Sequence, residues 1–398
     1  MYKSFIIYMM AFVCVAMPVK GKNQQSWVKK NIQHADKQYS YLVKQSEKQG
    51  EGLIPKTISS DGKLVFIPID DWCSGFYAGC MWKLNTLTHK DVWKEKACRY
   101  TELLDSVKWL TWHHDVGFMI GCSYLNGFRI TGNEAYREVI IQSARSLSTR
   151  FREGAGIIQS WNVDRGWQSK RGWTCPVIID NMMNLELLFE ATRLSGDSLY
   201  HRIAVSHAET TMKNHFRQDG SCYHVVDYDP ASGKVLHQHT AQGYAHESAW
   251  ARGQAWAIYG YTVCYRYTGD ERYLQQAERT AHYVLNAAIL PEDHIPYWDF
   301  DAPDIPMAPR DASAAACIAS AFLEMDGYLP GKGYRKEALK MMQSLSRGQY
   351  MARVGKNGGF LLMHSVGSIP HGSEIDVPLN YADYYYLEAL ERLTIKGK

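Results

Sequence analysis

The 398-residue sequence predicts an all-α fold, an (α/α)6 barrel built as a six-hairpin toroid with a small β-hairpin in one loop. Three observations predict it. A short turn phrase recurs along the chain, a mostly apolar helix precedes each copy, and a more charged, amphipathic helix follows it.

The copies are Thr88-His-Lys-Asp-Val-Trp93, Thr131-Gly-Asn-Glu-Ala-Tyr136, Ser195-Gly-Asp-Ser-Leu-Tyr200, Thr268-Gly-Asp-Glu-Arg-Tyr273 and, more loosely, Leu329-Pro-Gly-Lys-Gly-Tyr334. The Gly suits a helix C-terminal cap, the Asp or Asn after it an N-cap, and the closing aromatic anchors the next helix. The aromatics are 43, 64, 73 and 61 residues apart, so the unit is a helical hairpin with inserts of variable length.

Element by element, residues 1–21 read as a signal peptide: Phe5 to Met17 is apolar behind Lys3, too short for a membrane span, and a polar segment follows. Residues 22–398 read as one domain. Ser26 to Gln49 has helical composition and closes the ring beside the last helix, Tyr381 to Leu393. Six inner helices begin near Trp72, Asp115, Asp180, Ser248, Asp311 and Tyr381. Five outer partners follow the turn phrases. The one clear β signal is Ser221 to His239, two alternating segments around Pro230-Ala-Ser-Gly233.

Composition narrows the function. With 44 Lys+Arg against 41 Asp+Glu, the chain lacks the basic surface that phosphate backbones require. No nucleic-acid partner and no membrane span are expected, and export to the periplasm fits the leader. Val13 before Cys14 is too large for the usual lipoprotein cleavage site. The cysteines beyond the leader have no C-x-x-C pair, so free buried thiols are the default. Tryptophans beside polar residues point to flat polar ligands such as sugars.

Inner helices that all start at one mouth bring their first residues together. Asp115 and Asp180 then face one pocket. Each is also an ordinary N-cap residue, which is the bland alternative. Like charge and a Trp-lined pocket push one carboxyl toward its protonated form, while the helix N-terminus favours the anion. Arg252 and Trp256 share one helix face; the guanidinium either meets a substrate carboxylate or pairs with a buried acid. His113, His114, His224, His237, His239 and His246 invite a metal, yet no H-E-x-x-H occurs and His237-Gln-His239 lacks an obvious third ligand. No metal and no cofactor are expected.

Taken together, Asp71-Trp72-x-x-Gly75-Phe76, His114-Asp115-x-Gly117-Phe118, Ile179-Asp180-Asn-Met-Met-Asn184, Thr240-Ala-Gln-Gly-Tyr244, Trp250-Ala-Arg-Gly-Gln-Ala-Trp256, Arg310-Asp-x-Ser313-Ala-Ala and Tyr381-Ala-Asp-Tyr-Tyr385 resemble glycoside hydrolase family 88, the unsaturated glucuronyl hydrolases. The motifs follow the family's order over most of the chain. The resemblance implies an (α/α)6 catalytic domain acting on oligosaccharides that end in a 4,5-unsaturated hexuronic acid, with Asp180 as acid and base and Asp115 in support. It implies that Trp72, His114, His224, Gln242, Arg252 and Trp256 line the sugar site. Members preferring sulfated disaccharides carry S-x-x-S-x-K; the matching stretch here is Ser368-Ile-Pro-His371-Gly-Ser373, which places Ser368 and His371 at the site but lacks the Lys. Rivals are an unsaturated rhamnogalacturonyl hydrolase, an N-acyl-sugar epimerase and a noncatalytic sugar-binding toroid. A monomer or weak homo-oligomer is expected.

Overall fold

A computed structural model describes residues 20–287 and 289–395. The predicted leader lies almost wholly outside the described residues, as does Cys14. The first helix, α1, runs Lys20–Gln49. It is followed by a hairpin of β1 (Ile54–Ile58) and β2 (Leu64–Ile67), then α2 (Ser74–Thr88) and α3 (Asp91–Glu102). The second inner helix is α4 (Val116–Ile120) continued through a π-turn at Gly121–Leu125 into α5 (Asn126–Thr131). Its outer partner is α6 (Glu134–Ser148), which leads into the short pair β3 (Phe151–Arg152) and β4 (Ile157–Ile158).

Then come β5 (Pro176–Ile178), α7 (Asn181–Ser195), α8 (Ser198–Asn214), β6 (Val225–Tyr228), β7 (Val235–His239), α9 (Ala251–Thr268) and α10 (Glu271–Asn286). The chain ends with α11 (Ala312–Tyr328), α12 (Tyr334–Leu345), β8 (Ser365–Ser368), β9 (Ser373–Val377) and α13 (Asn380–Thr394). The six inner helices start within three residues of the predicted positions. Tyr386 of α13 donates its hydroxyl to Asn31 of α1 (2.9 Å), and Tyr39 of α1 donates to Asp383 (3.1 Å), so the N-terminal helix closes the ring as expected.

The turn phrases work as the sequence implies. Gly132, Gly196 and Gly269 adopt left-handed backbone, and Asn133, Asp197 and Asp270 each cap the next helix by accepting from the backbone N–H two residues on. In the first copy, which has no Gly, His89 takes the left-handed position at φ 57°. The anchors Trp93, Tyr136, Tyr200, Tyr273 and Tyr334 are all buried between the two helical layers. Each contributes about 3 kcal/mol of apolar burial.

The β content exceeds the prediction. The expected hairpin exists as β6 and β7, but β5 joins it to make a three-stranded sheet, and three further two-stranded pairs occur. Those strands have only two to five residues, too short for alternation to stand out in a sequence. The eight cysteines of the described region are all free, and all but Cys98 are buried.

Candidate active site

The loops between outer and inner helices gather at one end of the barrel, where the inner helices begin. A cavity of about 210 Å³ opens there, lined by Trp72, Asp115, Trp161, Trp167, Ile178, Asp180, Gln242, Arg252 and His371. A wider vestibule of about 410 Å³ shares Trp72, Asp115 and Trp161 with it and adds Trp112, His113 and Arg165. The two aspartates do meet in one pocket.

Neither acts as a cap. Asp115 and Asp180 occupy the N-cap positions of α4 and α7, yet neither side chain accepts from the helix backbone. Asp311, the equivalent residue of α11, shows the contrast: its Oδ1 accepts from the N–H groups of Ser313 and Ala314. Helices α4 and α7 approach so closely that a Cβ on Gly117 would sit 2.5 Å from the Asn184 Cα, which fixes the glycine of that motif.

Asp180 is buried, and its Oδ1 has no hydrogen-bond partner. Burial pushes its carboxyl up to about 7; Arg252 works against this rise and Asp115 adds to it. His224 stands behind it, Nε2 lying 3.6 Å from Oδ1. The backbone N–H groups of Ala241 and Gln242 point at His224 Nδ1 (3.1 and 3.2 Å), which places the proton of the neutral ring on Nε2, facing Asp180. Burial first, then Arg252, holds His224 well below the usual histidine range.

Asp115 goes the other way. Burial raises its carboxyl, but His114, His113 and Arg150 together pull it below the ordinary value. His113 Nδ1 lies 3.2 Å from one oxygen and His114 Nε2 3.3 Å from the other. His114 is itself fixed from behind through Nδ1, 2.9 Å from Asn181 Oδ1. One mouth thus contains one carboxyl poised to keep a proton and one disposed to lose it.

Arg252 takes the second alternative, the pairing with a buried acid. Nη1 donates to Asp311 (3.1 Å) and to the Val366 carbonyl, and Nη2 donates to the Gly367 carbonyl (2.7 Å). It is the buried ion pair of the bland reading, stacked 4.5 Å from the Trp250 ring, while Nε remains unpartnered and the residue lines the cavity. Trp256 lies fully buried beneath the cavity, 5.3 Å from Phe118. Ser368 does not line the cavity; its Oγ meets His371 Nδ1 at 2.8 Å and orients that ring. His114 and His224 likewise stand behind the two aspartates rather than on the cavity wall.

Trp161 and Trp167 are wall residues that sequence reasoning did not single out. Their signal is the Trp161, Trp167, Trp173 spacing of six within a polar loop; Trp161 stacks on Trp173 at 5.8 Å, and Trp167 packs 4.8 Å from His371. His237, His239 and His246 form a stack of rings with centroids 4.9 and 4.1 Å apart. His239 Nδ1 accepts from Trp173 Nε1 and His246 Nδ1 from the Thr240 N–H, so both are held as hydrogen-bond acceptors in the wall behind Trp173.

Comparison with known proteins shows the family of the chain. The family model of Glycosyl Hydrolase Family 88 matches residues 67–398. The unsaturated glucuronyl hydrolase of Formosa agariphila is 45% identical over 381 residues, 94% of each chain. The unsaturated chondroitin disaccharide hydrolase of Streptococcus agalactiae is 36% identical over 81% of each. Among solved structures, an unsaturated glucuronyl hydrolase specific for heparin superposes with a TM-score of 0.87 at 44% identity, covering 92% of this chain and 96% of that one. The enzyme of Bacillus sp. GL1 gives 0.83 at 31%, covering 91% and 96%. With a matching family model, relatives this similar over nearly their whole length, and the expected barrel, the chain belongs to glycoside hydrolase family 88.

Proposed function

We propose that this enzyme removes a nonreducing-end 4,5-unsaturated hexuronic acid from lyase-generated oligosaccharides, glycosaminoglycan-type disaccharides foremost. The observation that carries the reading is Asp180: a buried carboxyl raised to about 7, with one oxygen unpartnered, on the same cavity as a second aspartate whose pKa is lowered.

The substrate contains an enol ether, so chemistry begins at the double bond. Asp180 in its protonated form hands a proton to C4, and positive charge develops across C5 and the ring oxygen. Anionic Asp115, on the wall of the same cavity, stabilises that charge. Water adds at C5 and gives its proton to the Asp180 carboxylate, which restores the acid. The resulting hemiketal opens and expels the neighbouring sugar. Trp72 and the indoles of Trp161 and Trp167 offer flat faces to the ring, and its carboxylate lies toward Gln242 and Arg252. The outward vestibule takes the leaving sugar. The apolar stretch behind Lys3 supports export to the periplasm, where such fragments are met.

Unsaturated uronates absorb in the ultraviolet and hydration erases the chromophore. Wild-type protein is expected to bleach a chondroitin or heparin lyase disaccharide, and Asp180→Asn to leave it intact. Bleaching by Asp180→Asn would falsify the acid role. Preference for a pectin-derived disaccharide would assign the rhamnogalacturonyl specificity instead.

A further inference from the structure

Arg150 has no place in the reaction described above, yet its environment is unusual. It follows α6, is 3% exposed, and has no carboxylate within salt-bridge distance among the described residues. Its guanidinium is spent on neutral acceptors. Nε donates to the Gln159 carbonyl (2.7 Å), Nη1 to the Thr111 carbonyl (2.7 Å) and Asn162 Oδ1 (3.1 Å), and Nη2 to the Ser160 carbonyl (3.3 Å).

Those acceptors belong to the two walls of the vestibule. Thr111 starts the segment that ends in Asp115, and residues 159–162 carry Trp161. A single backbone bridge, His113 to Trp161, also links them. A buried cation without a counter-ion is costly and has a long electrostatic reach in low dielectric. Burial lowers this guanidinium to about 10, so it stays charged at neutral pH.

We infer that Arg150 is a positioning residue: its hydrogen bonds tie the segment that begins at Thr111 and ends in Asp115 to the segment 159–162 that carries Trp161, and so fix where Asp115 stands against the wall of the cavity. The inference rests on the roles given above to Asp115 and Asp180.

The test is kcat and KM for chromophore loss in Arg150→Met and Arg150→Lys, alongside thermal melting, each also made in an Asp115→Asn background. Both substitutions break the four-bond clamp: kcat is expected to fall about tenfold in Arg150→Lys and about a hundredfold in Arg150→Met, with KM within about twofold of wild type. Because the clamp acts through Asp115, neither substitution is expected to cost kcat further in the Asp115→Asn background. A full additional loss in that background overturns the inference. If Arg150→Met does not fold, Arg150→Lys decides, because wild-type kcat in that variant removes the clamp. Absence of bleaching by the wild-type protein is a different failure, that of the reaction itself.

Discussion

The two ends of this barrel both gather charged groups and differ in how many of them they pair. At the far end, where the inner helices finish, a chamber of about 380 Å³ is ringed by Lys83, Arg129, Arg266 and Arg392 and by Glu186, Glu324, Glu388 and Glu391. There the charges meet. Arg266 binds Glu324 at 2.6 Å and Glu186 at 2.8 Å, Arg129 binds Glu186 at 2.8 Å, and Lys83 binds Glu391 at 2.7 Å. At the mouth, by contrast, Asp180 Oδ1, His224 Nε2, Trp250 Nε1, Arg252 Nε, Trp256 Nε1 and Tyr381 Oη are all buried without hydrogen-bond partners, whereas the far chamber has Arg392 Nε. Burial raises a carboxyl at both ends. Arg129 and Arg266 overturn that rise for Glu186, bringing it to about 2, whereas nothing at the mouth does so for Asp180, at about 7. A fold that can pair its ions, and does so at one end, leaves polar atoms open at the other, where a ligand would complete them.

Asp180→Asn tests the contrast most severely. Loss of a general acid and base costs about a thousandfold or more in kcat. The same substitution is expected to stabilise the protein. With a folded pKa near 7 against an unfolded value near 4, wild-type folding must take up a proton on this carboxyl between those values, and above pH 7 must bury it charged, whereas the unfolded chain ionises it freely. That penalty is absent below pH 4, grows to pH 7 and is constant above it. Melting curves should therefore place Asp180→Asn above wild type at pH 8 and level with it at pH 4. In the wild-type enzyme the protonated acid disappears as pH rises through about 7, so kcat/KM should fall on that side. A profile still climbing at pH 9 contradicts the assignment.

Glu324→Gln breaks the comparison from the other end. Glu324 receives both Arg266 and Arg392, and both cations hold its carboxyl far below the usual range. Removing it leaves two partly buried guanidinium groups short of an anion, a loss of about 2 kcal/mol. Denaturant midpoints should show that loss while kcat and KM at 25 °C stay near wild type. A large fall in kcat with stability intact would mean that the far chamber communicates with the mouth.

Much of this was legible beforehand because it follows from local rules. The capped turns, the aromatic anchors and the six inner starts need only residue type and spacing. Asp115 and Asp180 were legible as a pair because each opens an inner helix. What stayed hidden depends on partners distant in sequence. Nothing near Arg252 announces that Asp311 and the carbonyls of Val366 and Gly367 take most of its hydrogen bonds. Arg150 reads as an ordinary charged residue at the end of an outer helix until the Thr111 and Ser160 carbonyls are seen around it. The far-end network joins Arg129 to Glu186 and Arg266 to Glu324 across 57 and 58 residues.

Ser368→Ala probes the smallest element of the contrast. Ser368 is the residue that the family motif places at the substrate, but here its hydroxyl meets His371 Nδ1 at 2.8 Å and it is His371 that lines the cavity. Removing the hydroxyl frees a ring that still packs 4.8 Å from Trp167, so orientation loosens without being lost. One neutral hydrogen bond is worth about 1 kcal/mol. A three- to fivefold rise in KM with unchanged kcat is about that size. His371→Ala should exceed it, because it removes the wall itself. If Ser368→Ala costs more than His371→Ala, the serine touches the substrate directly and the mouth is wider than its lining residues imply.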